Sequence, residues 1–190
     1  MMAEVQCVSC EIRACTGDIQ KTPDFCPRRN AKEALEEAEK IRTTDPEVQE
    51  IISVAKSLEE EGYEIWPRVR ELVEFSKRLG FKRLGIAFCV GLREEATQLA
   101  KILGSHGFEL STVACTVNGR CNPVGQALTL NQQGTELNVI MGLCMGHDVL
   151  FTKFSKAPIT TLVVKDRVMF HNPGALLISR HWRDTFVNRE

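Results

Sequence analysis

The sequence predicts an α/β protein: a small four-stranded parallel, Rossmann-like sheet with helices on both faces, preceded by helices and by an N-terminal four-cysteine metal-binding segment. Three observations lead there. From Gly80 onward short apolar runs alternate with amphipathic segments, a rhythm that implies parallel strands joined by right-handed helical crossovers. Between Asn30 and Leu79 the apolar residues recur at helical spacing. Residues 1–29 hold four cysteines and two prolines without sustained periodicity, too little apolar material to become ordered without an external staple. The expected organisation is a metal-binding segment over 1–29, then one α/β domain over 30–190 that is helical to residue 79 and alternates strand and helix over 80–190. A chain of 190 residues has room for one domain with a real core plus a small appendage.

In NAKEALEEAEKIR, Asn30 suits an N-cap and Glu33 stands three residues on, the spacing of a capping box, so a helix is expected to start there. Asp45-Pro46 pairs a cap with Pro at the first helical position; Val48, Ile51, Ile52, Ala55 and Leu58 then form one apolar face, and Gly62 stops the helix. A third helix begins near Trp66-Pro67, carries Val69, Leu72, Val73 and Leu79, and ends at Gly80. RLGIAFC (83–89) reads as a buried strand and LREEATQLAKILGSHG as a helix ending at Gly104 or Gly107. ELSTVACTV (109–117) is the second strand, followed by a helix from Pro123 to near Gly134. LNVIMGLC (137–144) is the third, His147 to Phe154 a short helix, TTLVVKD (160–166) the fourth strand, and PGALLISRHW (173–182) a last helix.

A net charge of −1 gives no general attraction to polyanions, which argues against nucleic acid and anionic membrane as partners. The start, MMAEVQCVSCEIRAC, lacks the basic opening and apolar core of a signal peptide, and no segment approaches the ~18 apolar residues of a membrane span, so a cytoplasmic protein is expected. In a reducing cytosol, clustered cysteines signal metal binding or catalysis more than a disulfide framework. Eight are present: Cys7, Cys10, Cys15 and Cys26 near the N-terminus, and Cys89, Cys115, Cys121 and Cys144 in the second half. The first four follow C-x2-C-x4-C-x10-C-P. They supply enough thiolates for a tetrahedral zinc site or a [4Fe–4S] cluster, and the spacing leaves both open.

The second four acquire meaning from the topology. Parallel strands end on one edge, where open α/β sheets form their ligand crevice. Cys89 ends the first strand, Cys121 follows the second, Cys144 ends the third and His171 follows the fourth, with His147 three residues beyond Cys144. These five are expected to line one pocket. Cys115 also ends or follows the second strand, and its face is left open, because a one-residue slip in register turns it to the other side. In Cys121-Asn-Pro-Val and His171-Asn-Pro-Gly, Asn suits the cap and Pro the first helical position, placing Cys or His just outside a helix N-terminus, where a thiolate is stabilised. In GLCMGHD, Gly142 and Gly146 permit a tight strand-to-helix turn, and Asp148 is placed to orient the His147 imidazole. Neither GxGxxG nor GxxxxGK[ST] follows any strand, so nothing points to a nucleotide.

The combination CVSCEIRACTGD, FCP, GIAFCVGLREEA, CNPVGQA, GLCMGHD, VVKDRV and HNP, spread over essentially the whole chain, resembles a cysteine-rich family of bacteria and archaea, the domain of unknown function 1847, presumed to bind metal. The resemblance implies a metal and, through its anaerobic setting, leans towards iron–sulfur. The function expected first is therefore a metal-binding protein with a four-cysteine site and a second thiol-rich site at the sheet edge, used in electron transfer with a redox partner protein. The alternatives are a thiol-dependent enzyme using Cys89 or Cys144 with His147 or His171 as base, and a small-molecule or nucleotide-binding sensor.

Overall fold

The computed structural model of the chain describes residues 5–12, 15 and 17–187. It divides into two compact units, residues 1–56 and 57–190.

In the first unit, α1 (Pro27–Asn30) and α2 (Lys32–Thr44) precede the start of α3 (Pro46–Gly62). Asp45 caps α3 as its sequence predicts, its Oδ1 accepting from the Glu47 and Val48 amides at 3.0 and 3.2 Å. Asn30 differs from expectation. Pro27 opens a short helix of its own, Asn30 is the last residue of that turn, and Ala31 occupies the cap of α2. Before α1 the backbone is organised by Arg29. Its guanidinium donates to Thr22 Oγ1 (3.0 Å) and to the Ile19 and Gln20 carbonyls (3.2 and 3.0 Å), and pairs with Asp24 (3.4 Å).

In the second unit α4 (Arg68–Arg78) leads into β1 (Arg83–Phe88), α5 (Arg93–Ser105), β2 (Glu109–Ala114), α6 (Pro123–Gln132), β3 (Leu137–Met141), α7 (Met145–Phe154) and β4 (Ile159–Val163). All strand pairs are parallel, in the order β2-β1-β3-β4. The chain moves from β1 outward to β2, then back across to β3, so the direction of winding reverses between β1 and β3. α5 therefore covers one face and α6 and α7 the other. One core layer joins Leu84, Ile86 and Phe88 of β1 to Leu72 and Val73 of α4 and to Leu99 and Leu103 of α5. The opposite layer joins Ala87, Val113 and Ile140 to Ala127 and Leu130 of α6 and Phe151 of α7.

The strands stop a few residues before their apolar runs do, because the final residues of each run bend into the turns at the carboxyl edge. The expected last helix is divided: α8 (Gly174–Ile178) and α9 (Arg180–Val187) are separated by an extended Ser179, whose Oγ accepts from the Trp182 amide at 3.5 Å. The serine ends one helix by serving as the start of the next.

Candidate functional site

Outside the carboxyl ends of β1 and β3, where the winding reverses, an open parallel sheet leaves a crevice between loops that diverge to opposite faces. Cys89 immediately follows β1. Its amide donates to Met141 O at 3.1 Å, which extends the sheet pairing by one residue and keeps Cys89 on the same face as Ala87. Cys115 immediately follows β2, its amide donating to Phe88 O at 2.8 Å, and it shares the face of Val113. The two cysteines are thus neighbours on the α6/α7 face. Gln126, fully buried in α6, holds these strand ends side by side: its Nε2 donates to Phe88 O (3.2 Å) and Val113 O (2.7 Å).

Lys165, two residues past β4, reaches beyond the end of β3 and places Nζ 2.5 Å from Cys89 Sγ. Burial by itself raises the Cys89 thiol. The hydrogen bond from Lys165, the Gly91 amide, the Lys165 charge and the Cys115 thiol more than offset it, so Cys89 titrates below an ordinary cysteine. Cys115 goes the other way. It is 2% exposed, burial pushes its thiol up, and the adjacent Cys89 and Cys121 sulfurs add to this against the opposing Val90 amide, which donates to its Sγ at 3.4 Å. Buried Cys115 thus stands beside half-buried Cys89 on the adjacent strand end, and the loop that carries exposed Cys121 returns to it through the Asn122 amide, which donates to Cys115 O at 2.7 Å.

The remaining expected residues each have local partners of their own. Asn122 caps α6 as its sequence predicts, Oδ1 accepting from the Gly125 amide at 2.8 Å, with Cys121 just outside. The second Asn-Pro pair behaves differently: Pro173 occupies the cap of α8, and His171 adopts a left-handed conformation (φ 63°) with Nδ1 accepting from the Asp166 amide at 3.1 Å. His171 is therefore engaged in the turn after β4. Cys144 caps α7, and Arg167 donates to its sulfur at 3.6 Å. His147 lies in the first turn of α7 with its amide on Cys144 O (2.7 Å). Beside it, Asp148 has one carboxylate oxygen buried with no hydrogen-bond partner. Burial raises the Asp148 carboxyl, and the charges of His147 and Lys165 only partly counter this.

Two members of the site lie outside what the sequence predicts. Cys115 falls to the register ambiguity, although its place at a strand end carries the signal. Lys165 stands in plain view within VVKD, but its partner depends on strand order. The N-terminal cysteines are free: Cys7 and Cys15 are exposed, Cys10 and Cys26 half-buried. Among the described residues no group of three or more His, Cys, Asp or Glu side chains is placed to hold a metal ion. Four thiols are the kind of donor set that zinc or iron–sulfur takes, but among the described residues Cys7, Cys10, Cys15 and Cys26 are not drawn together as a coordination shell. Nor is any helix among the described residues long and apolar enough to cross a membrane.

A family model described as "Protein of unknown function (DUF1847)" matches residues 26–120 and 116–162. The chain is also 38% identical over 196 residues to "Uncharacterized protein MJ0455" of Methanocaldococcus jannaschii, an alignment covering 94% of this chain and 96% of that protein.

Proposed function

The chain belongs to the family described as "Protein of unknown function (DUF1847)", and for it we propose a thiol-dependent enzyme whose nucleophile is the Cys89 thiolate. The observation that supports this reading is the Lys165 ammonium set against Cys89 Sγ at the winding reversal. A thiolate, not a thiol, attacks electrophiles, and a cation in contact with the sulfur enlarges the thiolate fraction at neutral pH. Cys89 is half-buried, so a small electrophile reaches it, whereas buried Cys115 is shielded. Lys165 here takes the place that the sequence assigns to His147 or His171, as an electrostatic partner with no proton transfer required of it.

The test is the pH dependence of alkylation. Iodoacetamide at limiting concentration, followed by peptide mapping, is expected to label Cys89 ahead of the other cysteines near neutral pH. Uniform labelling of all exposed thiols, with Cys89 no faster than Cys121, would sink the reading.

A second reading concerns the N-terminal segment. Four free thiols lie in a stretch whose described residues bury little apolar surface, and metal binding would draw Cys7, Cys10, Cys15 and Cys26 together around zinc or [4Fe–4S]. An electron-transfer role with a redox partner protein would belong to the iron–sulfur form. Anaerobic purification with metal analysis tests it: about one zinc, or about four irons with acid-labile sulfide, per chain is the expected result, and each Cys→Ser substitution should abolish it. Metal retained after all four substitutions would exclude this segment as its site.

A further inference from the structure

Cys89 has a partner that a lone nucleophile does not need. Cys89 and Cys115 directly follow the paired residues Phe88 and Ala114 of adjacent parallel strands. Such strands lie about 4.8 Å apart, inside the roughly 4.4–6.8 Å between Cα atoms that a disulfide spans. Both side chains take the same face, and Gln126 ties the two strand ends together from α6. Beyond Cys115 the loop closes on itself, the Asn122 amide donating to Cys115 O at 2.7 Å, which brings the exposed Cys121 back beside Cys115.

We infer that Cys89, Cys115 and Cys121 form a three-thiol disulfide-exchange relay whose substrate is a disulfide, with Cys89 attacking, Cys115 resolving and Cys121 passing the oxidising equivalent to the surface. The inference rests on the reading of Cys89 as the nucleophile. Accessibility sets the order, since a disulfide substrate reaches half-buried Cys89 but not Cys115, which is 2% exposed. The Cys89 thiolate attacks one sulfur of R–S–S–R′; that bond breaks, Cys89–S–S–R forms, and R′S⁻ leaves. Cys115 then gives its proton to the departed thiolate through solvent and attacks the Cys89 sulfur. A Cys89–Cys115 disulfide forms and RS⁻ leaves. Two electrons have passed from the two cysteines to the substrate, now reduced to RS⁻ and R′SH. The Cys121 thiolate next attacks the Cys115 sulfur, giving a Cys115–Cys121 disulfide and returning Cys89 as thiolate. An external dithiol reduces that bond from its exposed Cys121 sulfur and is itself oxidised to a disulfide.

The experiment treats the full-length reduced protein, under anaerobic conditions, with bis(2-hydroxyethyl) disulfide, then quenches with acid and blocks free thiols with N-ethylmaleimide. Intact mass and peptide mapping follow. Wild type is expected to lose two hydrogens without retaining a hydroxyethyl adduct, its disulfide linking Cys115 to Cys89 or to Cys121. Cys115→Ser, and Cys115→Ala as a second variant, should instead trap the adduct on Cys89. Cys121→Ser should form the Cys89–Cys115 bond normally but lose rapid re-reduction by dithiothreitol. A stable Cys89 adduct on wild type, or a disulfide that omits Cys115, overturns the relay while leaving Cys89 as nucleophile intact. Re-reduction unchanged in Cys121→Ser removes Cys121 from it. If Cys89 takes no adduct in any of these proteins and is no faster in alkylation, the nucleophile reading itself has failed and the relay with it. Wild-type mapping decides the central point even if a Cys115 variant misfolds.

Discussion

Burial raises the Cys89 thiol, and the Lys165 contact, helped by the Gly91 amide and the Cys115 thiol, prevails over it. Lys165→Met keeps much of the side-chain length and removes the cation. The alkylation midpoint of Cys89 should move to higher pH, and labelling at neutral pH should slow about tenfold for each pH unit by which the midpoint rises. The sign for stability follows from the same linkage. Because the folded pKa is lowered, the ion pair stabilises the fold above the unfolded-state pKa and that contribution is lost as pH falls through the folded pKa. Urea unfolding should therefore separate wild type from Lys165→Met in alkaline buffer and bring them together in acid. Gly142 sets the turn that leads to Cys144. It has φ 62°, and a Cβ there would lie 2.1 Å from Leu92 Cδ1. Gly142→Ala combines left-handed strain of about 1–2 kcal/mol with that clash, and a lowered urea midpoint is the expected outcome. A similar close approach occurs at Gly85, whose missing Cβ leaves space for Asn138 Oδ1, the acceptor for Thr135 Oγ1 at 2.8 Å. That buried amide needs the space, because an unsatisfied polar group inside the core is costly.

At the scale of elements, the site depends on where helices begin. α6 starts at Pro123 with its Asn122 cap directly after Cys121, so one cap both initiates a helix and holds the thiol loop against the end of β2. Asn122→Ala should cost about 1 kcal/mol, measured by urea denaturation, and should also slow the Cys115–Cys121 exchange. A variant as stable as wild type would show that the loop, not the cap, maintains this geometry. The second Asn-Pro pair shows why a dipeptide alone is insufficient. Asp166 captures the turn after β4 through the Val168 and Met169 amides (2.9 and 2.8 Å), His171 is drawn into it, and the helix begins at Gly174. Local hydrogen bonding by Asp competes successfully with the helix-start signal. At Asn30 the cause is different: Pro27 opens a short helix that ends at Asn30, so Ala31 takes the cap of α2.

For the α/β unit as a whole, one sheet separates two apolar layers, and each layer can be weakened separately. Leu103 and Phe151, both fully buried, lie on opposite faces. Leu103→Ala should cost about 2–5 kcal/mol and Phe151→Ala about 3–5 kcal/mol. With the sheet between them and no shared partner, the double variant should lose the sum within about 0.5 kcal/mol, as read from urea unfolding; strong non-additivity would mean that the layers communicate through the strands. The alternation of apolar runs with amphipathic segments was enough to determine parallel strands, helices between them and a common edge of carboxyl ends, after which Cys89, Cys121, Cys144 and His171 follow in the chain, because hydrophobic periodicity and crossover handedness are properties of the chain itself. Which of those residues touch was decided only by the tertiary structure. Strand side chains alternate with a period of two, so a single residue of register determined that Cys115 joins Cys89 on the α6/α7 face. Lys165 reaches Cys89 across the end of β3, which stands between β1 and β4, and His171 is engaged in a turn that starts five residues upstream at Asp166. Strand order and side-chain reach join residues 76 positions apart in the chain, a coupling that no local pattern encodes.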